Sequence, residues 1–407
     1  MHVLDMLKER GFIAQVTFEE DLYKALEREP MTFYVGFDPT ADSLHVGHYI
    51  PIMAMAHLQR AGHRPIALCG GGTAMIGDPS GKSDMRKMMS RETIGGNVCG
   101  IQKQLSRFLD FSDGKAIMVN NGDWLLNLNY VDFLREIGAL FSVNRMLTAE
   151  CYKRRMETGL TFLEFNYMLM QSYDFLQLFK NYGCRLQVGG DDQWSNMLSG
   201  ADLIRRKEHE DAFALSCKLI MTLDGKKMGK TEKGALWLDA ARTTPFEFYQ
   251  YWRNVGDQDV ERFLGLLTFL PMDEVRRLGA LPGEQINEAK RVLAFEVTKM
   301  IHGEAEAQKA ADAALALFAG GAASQDVPTW EVNAAMLAED NRLTTLLASC
   351  GLCTSRGDAR KMVQQGAVLV ADQKVTDVEY RIDATQIGPD GLMLRKGKKN
   401  YCRLILK

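Results

Sequence analysis

The stretch that decides the fold is residues 34–48, which read YVGFDPTADSLHVGH. The apolar run at residues 33–37 predicts a strand, and the apolar spacing from Val46 to Ala61 predicts a helix. His45 and His48 stand where that helix begins. A helix N-terminus offers unpaired N–H groups and a positive dipole end to phosphate, so the stretch predicts a strand, a nucleotide-binding turn and a helix.

The same alternation continues along the first half of the chain. Further strands are predicted at residues 65–69 and 185–188, the second followed by glycines and a helix. Such alternation indicates an α/β class with a parallel sheet and ligands at the carboxyl ends of its strands. Residues 101–176 are predicted to be a mostly helical insertion in that sheet. The expected Rossmann-like fold thus carries an extra layer of helices.

The rest of the chain predicts two further folded parts. Residues 245–318 have a helical pattern, and the glycine-rich residues 320–325 break it. We therefore expect a Rossmann-like catalytic domain at 1–222, a lysine-rich loop and α-helical domain at 223–319, a linker at 320–340 and a small α+β C-terminal module at 341–407.

Composition limits the class of protein. Of 407 residues, 46% are hydrophobic and 25% charged, which is typical of a soluble globular protein. The N-terminus has acids among its apolar residues, unlike a signal peptide, and no apolar run is long enough to span a bilayer. Eight cysteines include one C-x-x-C, Cys350 and Cys353, which favours free thiols over zinc or redox chemistry. We expect a cytoplasmic protein with no membrane partner.

Charge is unevenly distributed. The net charge is −3, yet residues 341–407 hold 12 Lys and Arg against 6 Asp and Glu. A basic end on an acidic body indicates a nucleic-acid partner.

A second phosphate-binding candidate lies far from the first. Residues 227–231 read KMGKT, a mobile loop with the ammonium groups of Lys227 and Lys230. A run of lysines alone is a weak signal, but together with His45 it predicts an ATP site without a Walker loop. Residues 81–83 mimic the end of a Walker loop, but Ile76 stands where its first glycine is required.

Two more groups predict walls of a polar pocket. Tyr167, Gln171 and Asp174 fall on one face of an otherwise apolar helix, which favours a pocket wall over an internal hydrogen-bond network. Residues 189–193 place two glycines and then Asp191, Asp192 and Gln193 after a strand. Asp192 and Gln193 suit ribose hydroxyls, although the paired aspartates equally suggest Mg²⁺, and a plain turn has the same pattern.

His45 and His48 have alternative readings. They could be ordinary helix histidines, or zinc ligands, but a structural zinc site requires further ligands nearby. We therefore expect no protein metal site.

Taken together, these motifs resemble those of a known family. Residues 45–48 look like the HIGH signature of class I aminoacyl-tRNA synthetases, and residues 227–231 are similar to their KMSKS loop. Residues 34–44, 77–82, 167–174 and 189–194 narrow the resemblance to bacterial-type tyrosyl-tRNA synthetases. The resemblance extends through nearly the whole chain.

The resemblance implies ligation of tyrosine to tRNA(Tyr), with ATP as a substrate accompanied by Mg²⁺, and a homodimer. The residues implied to bind tyrosine are Tyr34 and Asp174 at the phenol and Asp78, Tyr167 and Gln171 at the ammonium. Those implied to stabilise the phosphates in catalysis are Thr40, His45, Lys227 and Lys230, with His48 beside the nucleoside. Those implied for the rest of the ATP site are Gly36, Asp38, Gly47, Gly190, Asp192, Gln193 and Lys230.

Five basic residues are candidates for contact with tRNA. Arg356, Arg360 and Lys361 lie in a tail that resembles an RNA-binding module, which implies tRNA contact. For Lys82 and Arg86, contact with phosphate or RNA and simple solvation are equally compatible with the sequence. The sequence departs from the family pattern at Val46, Gly229 and Thr231, and Asp191 stands where a smaller polar residue is common.

Three other functions remain compatible with parts of this pattern. Synthetase-derived RNA-binding proteins help introns fold, and extra basic insertions, absent here, would favour that role. A tryptophanyl-tRNA synthetase shares the architecture but does not require Tyr34 and Asp174 at a ring hydroxyl. A small-molecule nucleotidylyltransferase would leave the basic tail without a purpose.

Overall fold

The computed structural model describes residues 1–80, 89–222, 228–231, 234–318, 328–371, 373–388, 391–397 and 400–407. The chain divides into two compact units, Met1–Gly303 and Glu304–Lys407. The finer division at residues 222, 319 and 340 stays a prediction.

Six of the described strands of the first unit form one sheet. In spatial order they are β1, β6, β5, β2, β3 and β4. The neighbours from β6 to β4 pair in parallel, whereas β1 pairs antiparallel with β6, so the sheet is mixed rather than wholly parallel. The strands are β1 Ile13–Val16, β2 Thr32–Phe37, β3 Arg64–Cys69, β4 Ile117–Asn120, β5 Cys184–Gly190 and β6 Phe213–Cys217.

Helices connect and cover these strands. The early ones are α1 Val3–Glu9, α2 Glu19–Arg28, α3 Tyr49–Arg60, α4 Arg91–Leu105, α5 Gly122–Leu125, α6 Tyr130–Glu136, α7 Val143–Leu147, α8 Glu150–Thr158 and α9 Phe162–Phe165. The later ones are α10 Tyr167–Tyr182, α11 Trp194–Glu208, α12 Pro245–Arg253, α13 Val260–Leu267, α14 Met272–Gly279 and α15 Ile286–His302. The short strands β7 Lys230–Thr231 and β8 Gly234–Ala235 form a separate pair.

The predicted strands at 33–37, 65–69 and 185–188 are confirmed as β2, β3 and β5. The insertion at residues 101–176 is helical for much of its length, but it also contributes strand β4 to the edge of the sheet. The helix predicted from Val46 begins as a 3-10 turn, Val46–His48, and continues as α3.

The position of the site follows from the topology. β2 and β5 are neighbours in the sheet, and the chain leaves their carboxyl ends in opposite directions, through α3 to β3 and through α11 to β6. Such a reversal opens a crevice between two strand ends, which is where parallel α/β sheets bind ligands.

The second unit has its own sheet and its own apolar core. Its strands lie in the order β11, β10, β12, β13, β9, and β9 is parallel to β13. The elements are α16 Glu304–Phe318, β9 Thr329–Val332, α17 Ala334–Glu339, α18 Leu343–Ser349, α19 Arg356–Gln364, β10 Val368–Val370, β11 Gln373–Val375, β12 Leu392–Lys396 and β13 Asn400–Leu406. Helix α18 ends before Gly351, whose φ of +76° suits glycine, and Cys350 and Cys353 are free thiols.

Within the described parts of the chain, no helix is both long enough and apolar enough to cross a membrane.

Candidate active site

A cavity of about 320 Å³ lies at the carboxyl ends of β2 and β5. It brings together side chains from widely separated parts of the first unit. The candidate residues that line it are Tyr34, Gly36, Asp38, Thr40, His45, Gly47, His48, Asp78, Tyr167, Gln171, Asp174, Gly190, Asp192 and Gln193.

The deepest carboxyl group of the cavity is that of Asp174, whose residue is 1% exposed. Its Oδ2 accepts a hydrogen bond from Asn121 Nδ2 at 2.8 Å, and its Oδ1 accepts one from Trp124 Nε1 at 2.8 Å. Burial raises the pKa of Asp174 to about 8, although these two hydrogen bonds oppose the rise and the charge of Asp38 adds to it. Burial therefore favours the neutral form of this carboxyl group, and its two hydrogen-bond donors favour the charged form.

The hydroxyl group of Tyr34 lies at the same end of the cavity. Burial, together with the charge of Asp174, holds the pKa of this hydroxyl well above its ordinary value, so it stays protonated. Among the described residues, Tyr34 Oη and Gln187 Oε1 are buried polar atoms without a hydrogen-bond partner. Both residues line the cavity, so a polar ligand would satisfy atoms that are costly to bury alone.

Asp38 forms the next part of the wall. Its Oδ1 accepts a hydrogen bond from Thr73 Oγ1 at 2.7 Å, and its Oδ2 accepts one from the Tyr167 hydroxyl at 2.9 Å. A Cβ atom at Gly70 would lie 2.0 Å from Asp38 Oδ1, so the absence of a side chain there makes room for the carboxylate. Asp38 and Tyr167 are thus held as a pair.

Asp78 is tied to the turn that follows β5. Gln193 Nε2 donates to Asp78 Oδ2 at 2.6 Å, and the backbone N–H of Ser80 donates to Asp78 Oδ1 at 2.9 Å. Gln171 and Gln193 in turn contact the buried amide of Asn196. The Asp78 carboxylate is therefore bonded to the Gln193 amide, which Asn196 connects to the amide of Gln171.

The two histidines form a reciprocal cap at the start of the 3-10 turn. Gly47 N donates to His45 Nδ1 at 3.0 Å, and His45 N donates to His48 Nδ1 at 3.2 Å. Because each Nδ1 is an acceptor, a neutral ring carries its proton on Nε2, which can then donate. A Cβ atom at Gly47 would lie 2.7 Å from His45 Cε1, so glycine makes room for that ring.

The backbone of the described part of the lysine-rich segment, residues 228–231, contacts this turn through Gly229. Val46 N donates to Leu236 O at 3.0 Å, Leu236 N donates to Gly229 O at 2.8 Å, and a Cβ atom at Gly229 would lie 3.1 Å from Val46 Cβ. The backbone of residues 228–231 thus reaches the histidine turn. Lys227, Lys82 and Arg86 lie outside the described residues, as does the side chain of Lys230.

Asp191, whose role the sequence left open, does not line the cavity. Its Oδ1 accepts hydrogen bonds from Ser216 Oγ at 2.7 Å and from Gln15 Nε2 at 2.8 Å. The carboxylate therefore joins the turn after β5 to strands β6 and β1.

Several residues of the site were not identified from the sequence. Asn121 directly follows strand β4, and that strand ending was the one signal that could have indicated it. The remaining cavity residues that sequence reasoning missed include Thr73, Ser80, Gln187, Lys218, Leu219 and Ile220.

Three candidate residues belong to the second unit. Arg356, Arg360 and Lys361 are exposed on helix α19. Among the residues that the structure describes, no group of three or more His, Cys, Asp and Glu side chains could hold a metal ion.

Comparisons with known proteins give the family. Residues 26–319 match the model of tRNA synthetases class I (W and Y), and residues 321–404 match that of the tyrosine–tRNA ligase SYY-like C-terminal domain. The chain is 60% identical over 408 residues to a tyrosine–tRNA ligase of Clostridium botulinum (strain 657 / Type Ba4), covering 100% of both chains. It is 62% identical over 401 residues to that of Lachnoclostridium phytofermentans, covering 98% of each.

A solved structure agrees with these matches. The C-terminally truncated mitochondrial tyrosyl-tRNA synthetase of Aspergillus nidulans is 30% identical, with a TM-score of 0.69, and the match covers 78% of this chain and 94% of that one. The chain therefore belongs to the tyrosine–tRNA ligase family of class I aminoacyl-tRNA synthetases.

Proposed function

We propose that the chain activates L-tyrosine with ATP to tyrosyl-adenylate and pyrophosphate, and then transfers the tyrosyl group to the 3′ end of tRNA(Tyr). The observation that carries this proposal is the cavity itself. A buried carboxyl group, Asp174, and a buried hydroxyl group, Tyr34, share it with the capped turn at His45. An amino acid with a phenol would occupy the end with Asp174 and Tyr34, and a nucleotide would occupy the end with His45.

The phenol end supplies the selectivity for tyrosine. A phenolic hydroxyl can donate to Asp174 and accept from Tyr34, whose own hydroxyl has no partner among the described residues. Phenylalanine would leave the buried Tyr34 hydroxyl without a partner and would place an apolar ring edge against the Asp174 carboxyl group, which a site built to bind a hydroxyl rejects strongly.

The ammonium group of tyrosine would bind to the acceptors in the middle of the cavity. Asp78, Tyr167 and Gln171 supply a carboxylate, a hydroxyl and an amide oxygen there. The Tyr167 hydroxyl donates its hydrogen to Asp38 Oδ2 at 2.9 Å. The lone pairs of the Tyr167 oxygen can therefore accept a hydrogen bond from the ammonium group.

The nucleotide would occupy the end of the cavity nearest the histidine turn. Gly36, Gly47 and Gly190 allow close approach of the ligand, while Asp38, Asp192 and Gln193 hold the ribose and the amino acid. Thr40, His45, Lys227 and Lys230 would stabilise the phosphates, His48 would lie beside the nucleoside, and Mg²⁺ would enter with ATP.

The first step needs no general base, because the tyrosine carboxylate is already a nucleophile. The tyrosine carboxylate attacks the α-phosphorus, the bond to the bridging oxygen of pyrophosphate breaks, and pyrophosphate leaves with that electron pair. The terminal ribose hydroxyl of tRNA then attacks the activated carbonyl carbon, the bond from that carbon to the phosphate oxygen breaks, AMP leaves with the electron pair, and the hydroxyl proton passes to the departing phosphate or to water. Alignment and stabilisation of phosphate charge therefore carry the first step.

The second unit would bind tRNA. Arg356, Arg360 and Lys361 present positive charge on exposed positions of α19, and residues 341–407 carry a net positive charge. Lys82 and Arg86 would contribute from the first unit. Phosphate contacts of this kind supply affinity that depends on salt concentration.

The active protein would be a homodimer in the cytoplasm. Large apolar side chains are exposed on α6, α7 and α9, with Val131 61% and Phe162 68% exposed. Exposed apolar surface of this kind marks protein interfaces. Sedimentation of the Val131→Glu/Phe162→Glu variant should give a monomer, and Phe18→Glu, at an equally exposed position of α2's N-cap, should leave the dimer intact.

The main test is ATP–pyrophosphate exchange on the purified protein. Exchange should depend on tyrosine, with tryptophan and phenylalanine giving little, and Asp174→Ala should abolish it. Normal tyrosine activation by that variant, or exchange driven by tryptophan, would contradict the proposal.

A further inference from the structure

Asn196 lies behind the cavity wall rather than in it. It is the third residue of helix α11, it is 2% exposed, and it does not line the cavity. A buried carboxamide is costly unless its polar atoms are hydrogen-bonded, so its partners indicate why it is there.

The partners of Asn196 come from three separate segments. Its Nδ2 lies 3.0 Å from Gln171 Oε1 on helix α10, 3.3 Å from Gln193 Oε1 in the turn after β5, and 3.3 Å from Ser80 Oγ. An amide nitrogen has two hydrogens, so these three acceptors share them. One buried side chain thus holds three pieces of the cavity wall.

These contacts also set the orientation of Gln193. Its Nε2 donates to Asp78 Oδ2 at 2.6 Å while its Oε1 accepts from Asn196. A flipped amide would place Nε2 against Nδ2 of Asn196, and its Oε1 against a carboxylate oxygen. The contacts at Nε2 and at Oε1 therefore favour the same orientation of the Gln193 amide, with Nε2 facing Asp78.

We propose that Asn196 is a positioning residue, which holds the Gln171 and Gln193 amides so that the wall around Asp78 accepts the ammonium group of the amino acid. An amide oxygen has two lone pairs, so Gln171 Oε1 can accept from Asn196 and from an ammonium at once. With Gln193 donating to Asp78, the position of that carboxylate is fixed as well. The inference deepens the proposed function and rests on it.

The test replaces the donor with an acceptor of nearly the same size. In Asn196→Asp, both glutamine oxygens face a carboxylate oxygen, so the amides lose their common orientation. We expect the Kd for tyrosine to rise about tenfold or more, the size expected when buried polar groups lose partners. The preference for tyrosine over phenylalanine should persist, because Tyr34 and Asp174 lie outside this network.

A ligand without the ammonium group separates positioning from general damage. The competitive inhibition constant of 3-(4-hydroxyphenyl)propionate should be the same in wild type and variant within about twofold, since this ligand has no group for the wall to bind. Equal weakening of both ligands, or an unchanged Kd for tyrosine, would overturn the inference.

Ser199, on the same helix as Asn196, provides the matched control. Ser199→Ala removes a side chain one turn further along α11, which contacts Ser195 O and Met168, and should leave tyrosine binding unchanged. If Asn196→Asp does not fold, as judged by its thermal transition, Asn196→Ala is measured in the same way. A wild-type protein without tyrosine-dependent exchange would contradict the proposed function instead, independently of Asn196.

Discussion

The indole of Trp124 donates a 2.8 Å hydrogen bond to Oδ1 of Asp174, inside the end of the cavity that Tyr34 also lines. Asn121 satisfies the other carboxylate oxygen. Both donors favour the charged form of a carboxyl group whose burial disfavours it. The pKa of the Asp174 carboxyl group therefore depends on Asn121 and Trp124, which lie outside helix α10.

Trp124→Phe should weaken tyrosine binding, because the carboxylate loses one of its two donors and its pKa rises further. A hydrogen bond to a charged group contributes about 1.5–3 kcal/mol, which corresponds to a loss of affinity of roughly tenfold or more. Calorimetric titration with tyrosine measures it. Trp330→Phe, in the sheet of the second unit, is the matched control, and an unchanged Kd in Trp124→Phe would refute the role given to this hydrogen bond.

Asp174→Asn should abolish tyrosine activation yet change stability in a pH-dependent way. Folding raises the pKa of this group from 3.8 to about 8, so between these values the folded protein holds a proton that the unfolded chain has lost. Wild-type stability from this group therefore falls as pH rises through that window. The free energy of unfolding, measured in urea at pH 5 and at pH 8, should decrease less in the variant than in wild type as the pH rises. An equal decrease in both proteins would contradict the raised pKa of Asp174.

Gly70→Ala should disrupt the pair formed by Asp38 and Tyr167. The new Cβ atom would lie 2.0 Å from Asp38 Oδ1 and 2.5 Å from Thr73 Oγ1, so the carboxylate must move. We expect kcat/KM in pyrophosphate exchange to fall about 10²-fold, as for a misplaced substrate. Gly95→Ala, in helix α4 with no atom within 4 Å of its Cβ position, should leave activity intact and stabilise the helix. Equal activity of both variants would exclude a constraint at residue 70.

Lys230→Ala should slow adenylate formation while leaving tyrosine affinity nearly intact. An ammonium group that binds the phosphates acts on the transition state, and losing one such contact costs about 10²–10³-fold in rate. Stopped-flow measurement of adenylate formation, with tyrosine Kd measured separately, distinguishes the two effects. Lys153→Ala, at an exposed ion pair with Glu150, is the control; weaker tyrosine binding with unchanged chemistry in Lys230→Ala would contradict the assignment.

Reversing the charges on α19 should separate the two half-reactions. Arg356→Glu/Arg360→Glu/Lys361→Glu should spare pyrophosphate exchange and reduce tRNA charging relative to wild type, most strongly at low salt, because the lost phosphate contacts contribute most there. Aminoacylation of tRNA(Tyr) over a range of salt concentrations measures it. Lys309→Glu, on helix α16, is the control for charge reversal alone, and full charging by the triple variant would remove α19 from the tRNA surface.

The sequence predicted those parts of the molecule that have a local pattern. Strand β2 and helix α3 could be located because apolar spacing and a helix start are properties of neighbouring residues. The face of α10 followed from helical spacing in the same way. The sheet was expected to be wholly parallel, but its first strand, β1, is short and pairs antiparallel, and no local signal distinguishes the two directions.

The residues that sequence analysis missed act through space. Trp124 lies in a four-residue helix and reaches Asp174 across 50 positions of the chain, and Asn196 joins three segments that are distant in sequence. Asp191 has contacts with Gln15 and Ser216 that depend on which strands are neighbours. Such roles arise from strand order and helix packing, and no short motif encodes them.

The backbone ladder between residues 44–46 and residues 228–238 has a consequence for recombining this enzyme with its relatives. Val46 and Leu44 bond to Leu236 and Leu238, and Leu236 bonds in turn to Gly229, so the histidine turn and the lysine segment share one continuous set of main-chain links. A chimaera that takes only one of these two segments from another species would pair a foreign segment with a native one across these main-chain hydrogen bonds. Exchanges that cut between the two should lose activity even when each imported motif is intact, whereas transplanting both together should preserve it.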